Sequence, residues 1–220
     1  VRRTFLLTGI AVATLAVSTG VAVSATTTAA HHHRGRFSCE AWGANIGGST
    51  FAVANKHNSP CYRKHGRVNK AGRTLHGAGI KLGVVTANTE LKGRRVIRAG
   101  KTLALASART AKAKVGTLQI GAATSSATDT CVKSRHGLSV KQTVKSSVAY
   151  ILTGGKKQKI GSKPQKISFG PLGTIYFNRV LRSGHTVVVR AVEIDLGGTT
   201  PTVILAQSQV GFTGNPCLKK

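Results

Sequence analysis

The chemistry this sequence offers is mainly that of cations. Lys and Arg number 33 against five acids, a formal net charge of +28 on 220 residues. The basic residues gather in Arg63–Arg73, Lys92–Lys101, Arg109–Lys114 and Lys156–Lys166. The first stretch offers Arg63, Lys64 and Arg67 as candidate ligands for a polyanion. The second offers Lys92, Arg94, Arg95 and Arg98, and the last Lys156, Lys157 and Lys159. Such a field attracts wall teichoic or teichuronic polymers, acidic polysaccharide, anionic lipid headgroups or extracellular DNA. The force is neutralisation of phosphate or carboxylate with release of counterions, which needs charge density and no fixed spacing. A single lysine run is usually a solvated face that keeps a protein soluble. Here acids are too scarce to neutralise the surface locally, so a polyanion is the expected partner, with no readout of base sequence. Aromatic residues are only 5% of the chain, too few for a base-stacking platform.

Other chemistries find less support. The acids are Glu40, Glu90, Asp129, Glu193 and Asp195, scattered along the chain, which argues against a glycosidase pair or a carboxylate metal cage. A Ser/His/Asp triad needs an acid to orient its histidine. The nearest such pairs are Asp129 with His136 and His185 with Glu193, and no G-x-S-x-G elbow accompanies them. Gly43–Gly48 and Gly77-Ala78-Gly79 lack the strand–helix context of a nucleotide loop, so turns or bulges are expected there. Trp42, in an opening strand, is expected to be a core residue. His31-His32-His33 would suit copper after a cut behind Ala30, but a cut behind Ala25 leaves only a polar tail, and the tail is the expectation. No catalytic residue, metal or cofactor is assigned.

Cys39, Cys61, Cys131 and Cys217 form an even set without C-x-x-C spacing, which favours two disulfides over zinc. Three pairings are open. Cys39–Cys61 with Cys131–Cys217 is the pairing expected: the first would tie the opening strand to the loop after it, and the second would pin the last strand to the middle of the domain. Loop-closure entropy puts upper values of about 3.4 and about 4.6 kcal/mol on these two links.

The elements that must position these residues begin after residue 25. Arg2 and Arg3 precede an uncharged apolar run from Phe5 to Val23, and Val23-Ser24-Ala25 ends in small residues. Residues 1–25 are therefore expected to be a cleaved secretory signal, with general secretion and twin-arginine export both open. No second apolar stretch reaches 18 residues, so no membrane span is expected after cleavage. Loss of Arg2 and Arg3 leaves a net charge of about +26. Residues 26–37 read as a flexible His/Arg tail, residues 38–217 as one domain and residues 218–220 as a basic tail.

Within the domain, short apolar runs alternate with Gly, Ser, Thr and Asn, the punctuation of β-structure. His57–Thr74 reads as a long basic loop. Ile80–Ala87 reads as a strand with a glycine irregularity. Leu91–Lys101 is a basic connector. Thr102–Val115 is alanine-rich, but its period of two predicts a strand, with Ala111 and Ala113 out of phase at a bulge or break. Gly154-Gly155-Lys156-Lys157 marks a turn. Thr174–Leu181 and Thr186–Leu196 make a hairpin, with Val187, Val189 and Ala191 on one face and Val188, Arg190 and Val192 on the other. The fold class expected is all-β, an antiparallel β-sandwich of short strands.

Several stretches carry a family likeness. They are Cys39-Glu40-Ala41-Trp42-Gly43, Leu82–Thr89, Ser125–Cys131, Thr186–Ile194 and Ala206–Phe212 with Cys217. Together they span Ser38–Cys217, and in composition and order the chain resembles the choice-of-anchor P family. The resemblance implies an all-β extracellular domain of Gram-positive, chiefly actinobacterial, surfaces, and it implies no catalytic residues. The chain departs from the family in its strongly basic charge and in showing no sorting motif after Cys217. The expectation is an exported, non-enzymatic surface or extracellular β-domain that associates with anionic wall polymers and is retained at the wall by charge. The alternatives are a secreted enzyme or N-terminal copper-binding protein, and a soluble structural module indifferent to polyanions.

Overall fold

The computed structural model describes residues 35–55, 59–61, 64–69, 73–75, 79–93, 96–169, 173–195 and 203–218, with only the backbone described at 64–69 and 73–75. In chain order the strands are β1 (Arg36–Ile46), β2 (Ser49–Ala54), β3 (Lys64–Asn69), β4 (Arg73–Leu75), β5 (Ile80–Leu82), β6 (Val85–Lys92), β7 (Leu103–Thr110) and β8 (Ala113–Val115). They continue as β9 (Leu118–Ile120), β10 (Ala123–Ser134), β11 (Gly137–Thr153), β12 (Lys156–Gly161), β13 (Gln165–Ser168), β14 (Thr174–Ser183), β15 (Thr186–Asp195) and β16 (Val203–Thr213). Sheet A has six strands in the order β13-β14-β15-β16-β1-β2. Sheet B has ten, in the order β3-β6-β7-β10-β11-β9-β8-β5-β4, with β12 beside β11. All pairings are antiparallel, the two sheets pack together, and no helix occurs among the described residues. The expected all-β sandwich is what forms. No helix long and apolar enough to cross a membrane occurs among those residues either. The expected signal and the histidine run at 31–33 lie outside them.

Both expected disulfides are present, Cys39–Cys61 and Cys131–Cys217. The glycine irregularity is the break between β5 and β6 at Gly83-Val84, matched by the break at Ala111-Lys112 between β7 and β8. The two breaks face one another, since Gly83 donates its N–H to Lys112 O and Ala111 donates to Val84 O. Some expectations need correction. The basic stretch 57–74 contains strands β3 and β4, because pairing with β6 and β5 supplies the backbone bonds that its polar sequence does not advertise. Lys156 and Lys157 open strand β12, and Gly154-Gly155 alone makes the turn, both with positive φ. β1 begins at Arg36, and Phe37 is buried, so those two residues belong to the domain and not to the tail.

A crease crosses sheet A. Gly43, Ala52, Asn178, Ala191 and Ala206 occupy one line across β1, β2, β14, β15 and β16, and each is skipped in the pairing of its strand. Three of them hold left-handed backbone, Ala52 at φ 51°, Asn178 at 55° and Ala206 at 51°. Such a conformation costs roughly 1–3 kcal/mol at a non-glycine residue, so the surroundings must hold it. At Asn178 they visibly do. Its amide donates to Gly161 O at 3.1 Å and Lys163 O at 3.0 Å, and its carbonyl oxygen accepts from Ser146 Oγ at 2.8 Å.

The crease shifts the phase of alternation by one residue. Before it, β15 buries Val187 and Val189; after it, Val192 and Ile194. Val192 therefore joins the core and does not share a face with Arg190, because the ladder slips at Ala191 and strict alternation fails there.

The interior is made of small residues on one side. Sheet B presents Ala87 from β6, Ala104, Ala106 and Ala108 from β7, and Ala123 and Ala127 from β10, all buried. This lets the sheets approach closely at Gly43, where a Cβ would lie 2.6 Å from Val85 Cβ. Polar bonds close the same seam: Thr110 Oγ1 donates to Gly43 O at 2.6 Å, and the hydroxyls of Ser125 and Ser208 lie 2.7 Å apart. Overpacking a filled seam typically costs 1–3 kcal/mol. Gly43→Ala is expected to lower unfolding free energy by about 2 kcal/mol, measured by urea denaturation. An unchanged midpoint would mean that β1 and β6 can part without loss.

Candidate polyanion-binding surface

The outward face of sheet B follows from the alternation of its strands. On β10 the odd residues Ala123 to Cys131 are buried against sheet A, so Thr124, Ser126, Thr128 and Thr130 point away from it. Residues paired directly across a ladder share a face. Lys141 and Lys145 of β11 lie opposite Thr130 and Ser126, and Arg109 of β7 lies opposite Thr124. All three cations are exposed. Lys92 of β6 lies on the same face and contacts Glu90 at 3.4 Å, so that pair is internally balanced.

The candidates read from the sequence do not converge on one patch. Lys92 and Arg98 are exposed at the end of β6 and in the connector after it, and Lys156, Lys157 and Lys159 are exposed on β12. Lys157 pairs with Leu152, eleven residues along β11 from Lys141, which lies in the row of Lys92. At 3.4 Å per residue these groups are roughly 35 Å apart. Lys64 and Arg67 lie on β3, in register with Glu90 and Ala87. Arg63, Arg94 and Arg95 lie outside the described residues. Lys157 also sits over the Tyr150 ring, 4.3 Å from its centroid. Lys141 and Lys145 were not selected from the sequence because they form no run. Their signal is the alternation Lys141, Thr143, Lys145, Ser147, which puts four polar residues on one side of β11.

The acids are largely withdrawn from the surface. Glu40 is 9% exposed, Asp129 0% and Glu193 3%. Glu193 lies between two arginines, its Oε1 2.5 Å from Arg179 Nη1 and its Oε2 3.0 Å from Arg190 Nη1, the latter an ion contact without hydrogen-bond geometry. Arg190 Nε also donates to Gln207 Oε1 at 2.7 Å, and Arg179 stacks on Tyr176 at 4.7 Å. Arg190 and Glu193 are three residues apart, a spacing that would put them on opposite faces of a regular strand; the crease at Ala191 brings them together. Trp42, the register partner of Gln207, is buried on this side of sheet A, outside the core between the sheets.

Neither candidate acid–histidine pair assembles. Asp129 faces the interior, whereas His136 is exposed in the turn between β10 and β11. Glu193 is held by its arginines, and the His185 ring stacks on Phe212 with centroids 4.4 Å apart. Among the described residues no group of three or more His, Cys, Asp or Glu could hold a metal ion. No family model, no curated protein and no solved structure matches this chain, so the family resemblance rests on the motifs quoted above.

The titration of Asp129 is displaced. Burial raises its pKa from 3.8 to about 7, against a smaller lowering by Gln142, its partner on β11. The Gln142 amide donates to His185 O at 3.0 Å, and neither Asp129 oxygen has a hydrogen-bond partner among the described residues. Desolvation therefore prevails. A raised folded pKa means that the folded state holds the proton more tightly than the unfolded chain. The contribution of Asp129 to stability is then fully present below about pH 4, is lost as pH rises towards about 7, and changes no further above, a total on the order of 4 kcal/mol. Asp129→Asn, which mimics the protonated acid, is expected to leave Tm nearly unchanged at pH 3 and to raise it by several degrees at pH 8. Equal Tm values at both pH values would show that the carboxyl is solvated or partnered.

Proposed function

We propose that this chain is an exported, non-enzymatic β-sandwich of the cell surface or extracellular matrix that associates with anionic polymers through its basic surface. The observation that carries the reading is the fate of the acids. Three of the five are buried, Glu90 is paired with Lys92, and exposed cations such as Arg109, Lys141, Lys145 and the β12 lysines have no carboxylate partner among the described residues. A surface that does not neutralise itself recruits counterions, and a polyanion that displaces them gains their release. The two disulfides favour an oxidising location, in keeping with the signal-like first 25 residues. The resemblance to choice-of-anchor P domains is consistent with the same placement.

The test is retention of the disulfide-intact protein on beads carrying wall polymer, DNA or anionic vesicles. Retention is expected at about 50 mM salt, with affinity falling by at least tenfold at about 200 mM. Failure to bind any of these polyanions at low salt, or binding that ignores salt, would remove the electrostatic reading and leave a structural module.

A further inference from the structure

We propose that the outward face of sheet B is the docking plane, and that its occupant is a linear polyol-phosphate polymer lying along β10. This rests on the polyanion reading above and assigns it a site and a ligand class. Thr124, Ser126, Thr128 and Thr130 form a column of hydroxyl-bearing residues at roughly 7 Å intervals, the two-residue repeat of a strand. Cations flank the column on both sides, Lys141 and Lys145 on β11 and Arg109 on β7. Lys141 and Lys145, four residues apart on one strand, are separated by roughly 14 Å. Along β11, Lys141, Thr143, Lys145 and Ser147 alternate cation and hydroxyl in the way that phosphates and hydroxyls alternate along a polyol phosphate, while Leu103 and Leu105 of β7 border Thr130 and Thr128 on the other side.

The surface chemistry favours this occupant over others. These four β10 positions and their direct partners on β7 and β11 include no aromatic residue, so bases of a single-stranded nucleic acid would find nothing to stack on. Among the described residues this face is made of strands β6, β7, β10 and β11, which offer no helix to enter a duplex groove. Lysine predominates among the unpaired cations, and lysine acts as a point charge suited to tetrahedral phosphate, whereas planar carboxylates are best held by paired arginine forks. Glu90 is the one acid of the face, and Lys92 at 3.4 Å confines its charge to the border on β6.

The test compares three full-length variants with the wild type for binding to purified poly(glycerol phosphate). Arg109→Gln/Lys141→Gln/Lys145→Gln changes the face; Lys156→Gln/Lys157→Gln/Lys159→Gln removes the same charge from β12. Thr128→Val removes one hydroxyl and keeps every charge. The face variant is expected to lose at least tenfold in affinity and to flatten the slope of log affinity against log salt by about 2. The β12 variant should lose less than threefold. Thr128→Val should weaken binding with an unchanged slope. Thermal melting confirms that each variant is folded, and a second face variant, Lys141→Gln/Lys145→Gln, is read if the triple variant melts early.

Equal losses in the face and β12 variants would overturn the assignment of the plane while leaving general polyanion association standing. Wild-type binding to duplex DNA or to a carboxylate polysaccharide as tight as to the polyol phosphate would overturn the ligand class. No binding of the wild type to any polyanion would instead remove the underlying reading.

Discussion

At Gly43 the backbone of β1 runs against β6, with Val85 Cβ 2.6 Å from where a side chain would begin, and Thr110 bonds the Gly43 carbonyl across the gap. This approach is possible because sheet B lines its inner side with alanine and serine. Sheet A creases along the same line, through Ala52, Asn178 and Ala206 in left-handed conformation. The closeness of the sheets and the crease belong together. Five residues in five different strands share one row, so a change at any of them is felt by its neighbours in the ladder.

The crease also reaches the charge distribution. By slipping the phase of β15 it gathers Arg190 and Glu193 on one face, where Arg179 and Gln207 complete a network. Glu193 is thereby removed from the solvent and neutralised twice over. Asp129 is withdrawn in a different way, through burial that favours its protonated form near neutral pH. An excess of 28 positive charges over the whole sequence is thus felt even more strongly at the surface, because the few acids available to offset it are mostly inside.

Much of the architecture was legible in the sequence. Short punctuated apolar runs predicted an antiparallel sandwich, the spacing of four cysteines was compatible with the pairings that form, and the out-of-phase alanines at 111 and 113 marked a real break. Two kinds of feature were not legible. β3, β4 and the start of β12 carry no alternation of their own and are strands because a neighbour offers an open ladder. The crease is invisible because alanine in left-handed conformation looks like any other alanine, so the prediction for Val192 failed there. The candidate surface was legible as a charge excess but not as a place. Counting clustered cations selected Lys156, Lys157 and Lys159, whereas strand register puts Arg109, the first residue of another cluster, on one face with the dispersed Lys141 and Lys145.

Those β12 lysines have a consequence of another kind. Among the described residues β12 pairs only with β11, so the far side of its stretch Lys156–Lys159 is an open ladder of amide and carbonyl groups. Such an edge is a template on which a second chain can add a strand and begin a fibre. A neighbouring copy approaching there would have to bring its own ammonium groups alongside Lys156, Lys157 and Lys159, all exposed. Mutual repulsion makes self-pairing at this edge costly, and keeps a protein that is almost all sheet from stacking on itself.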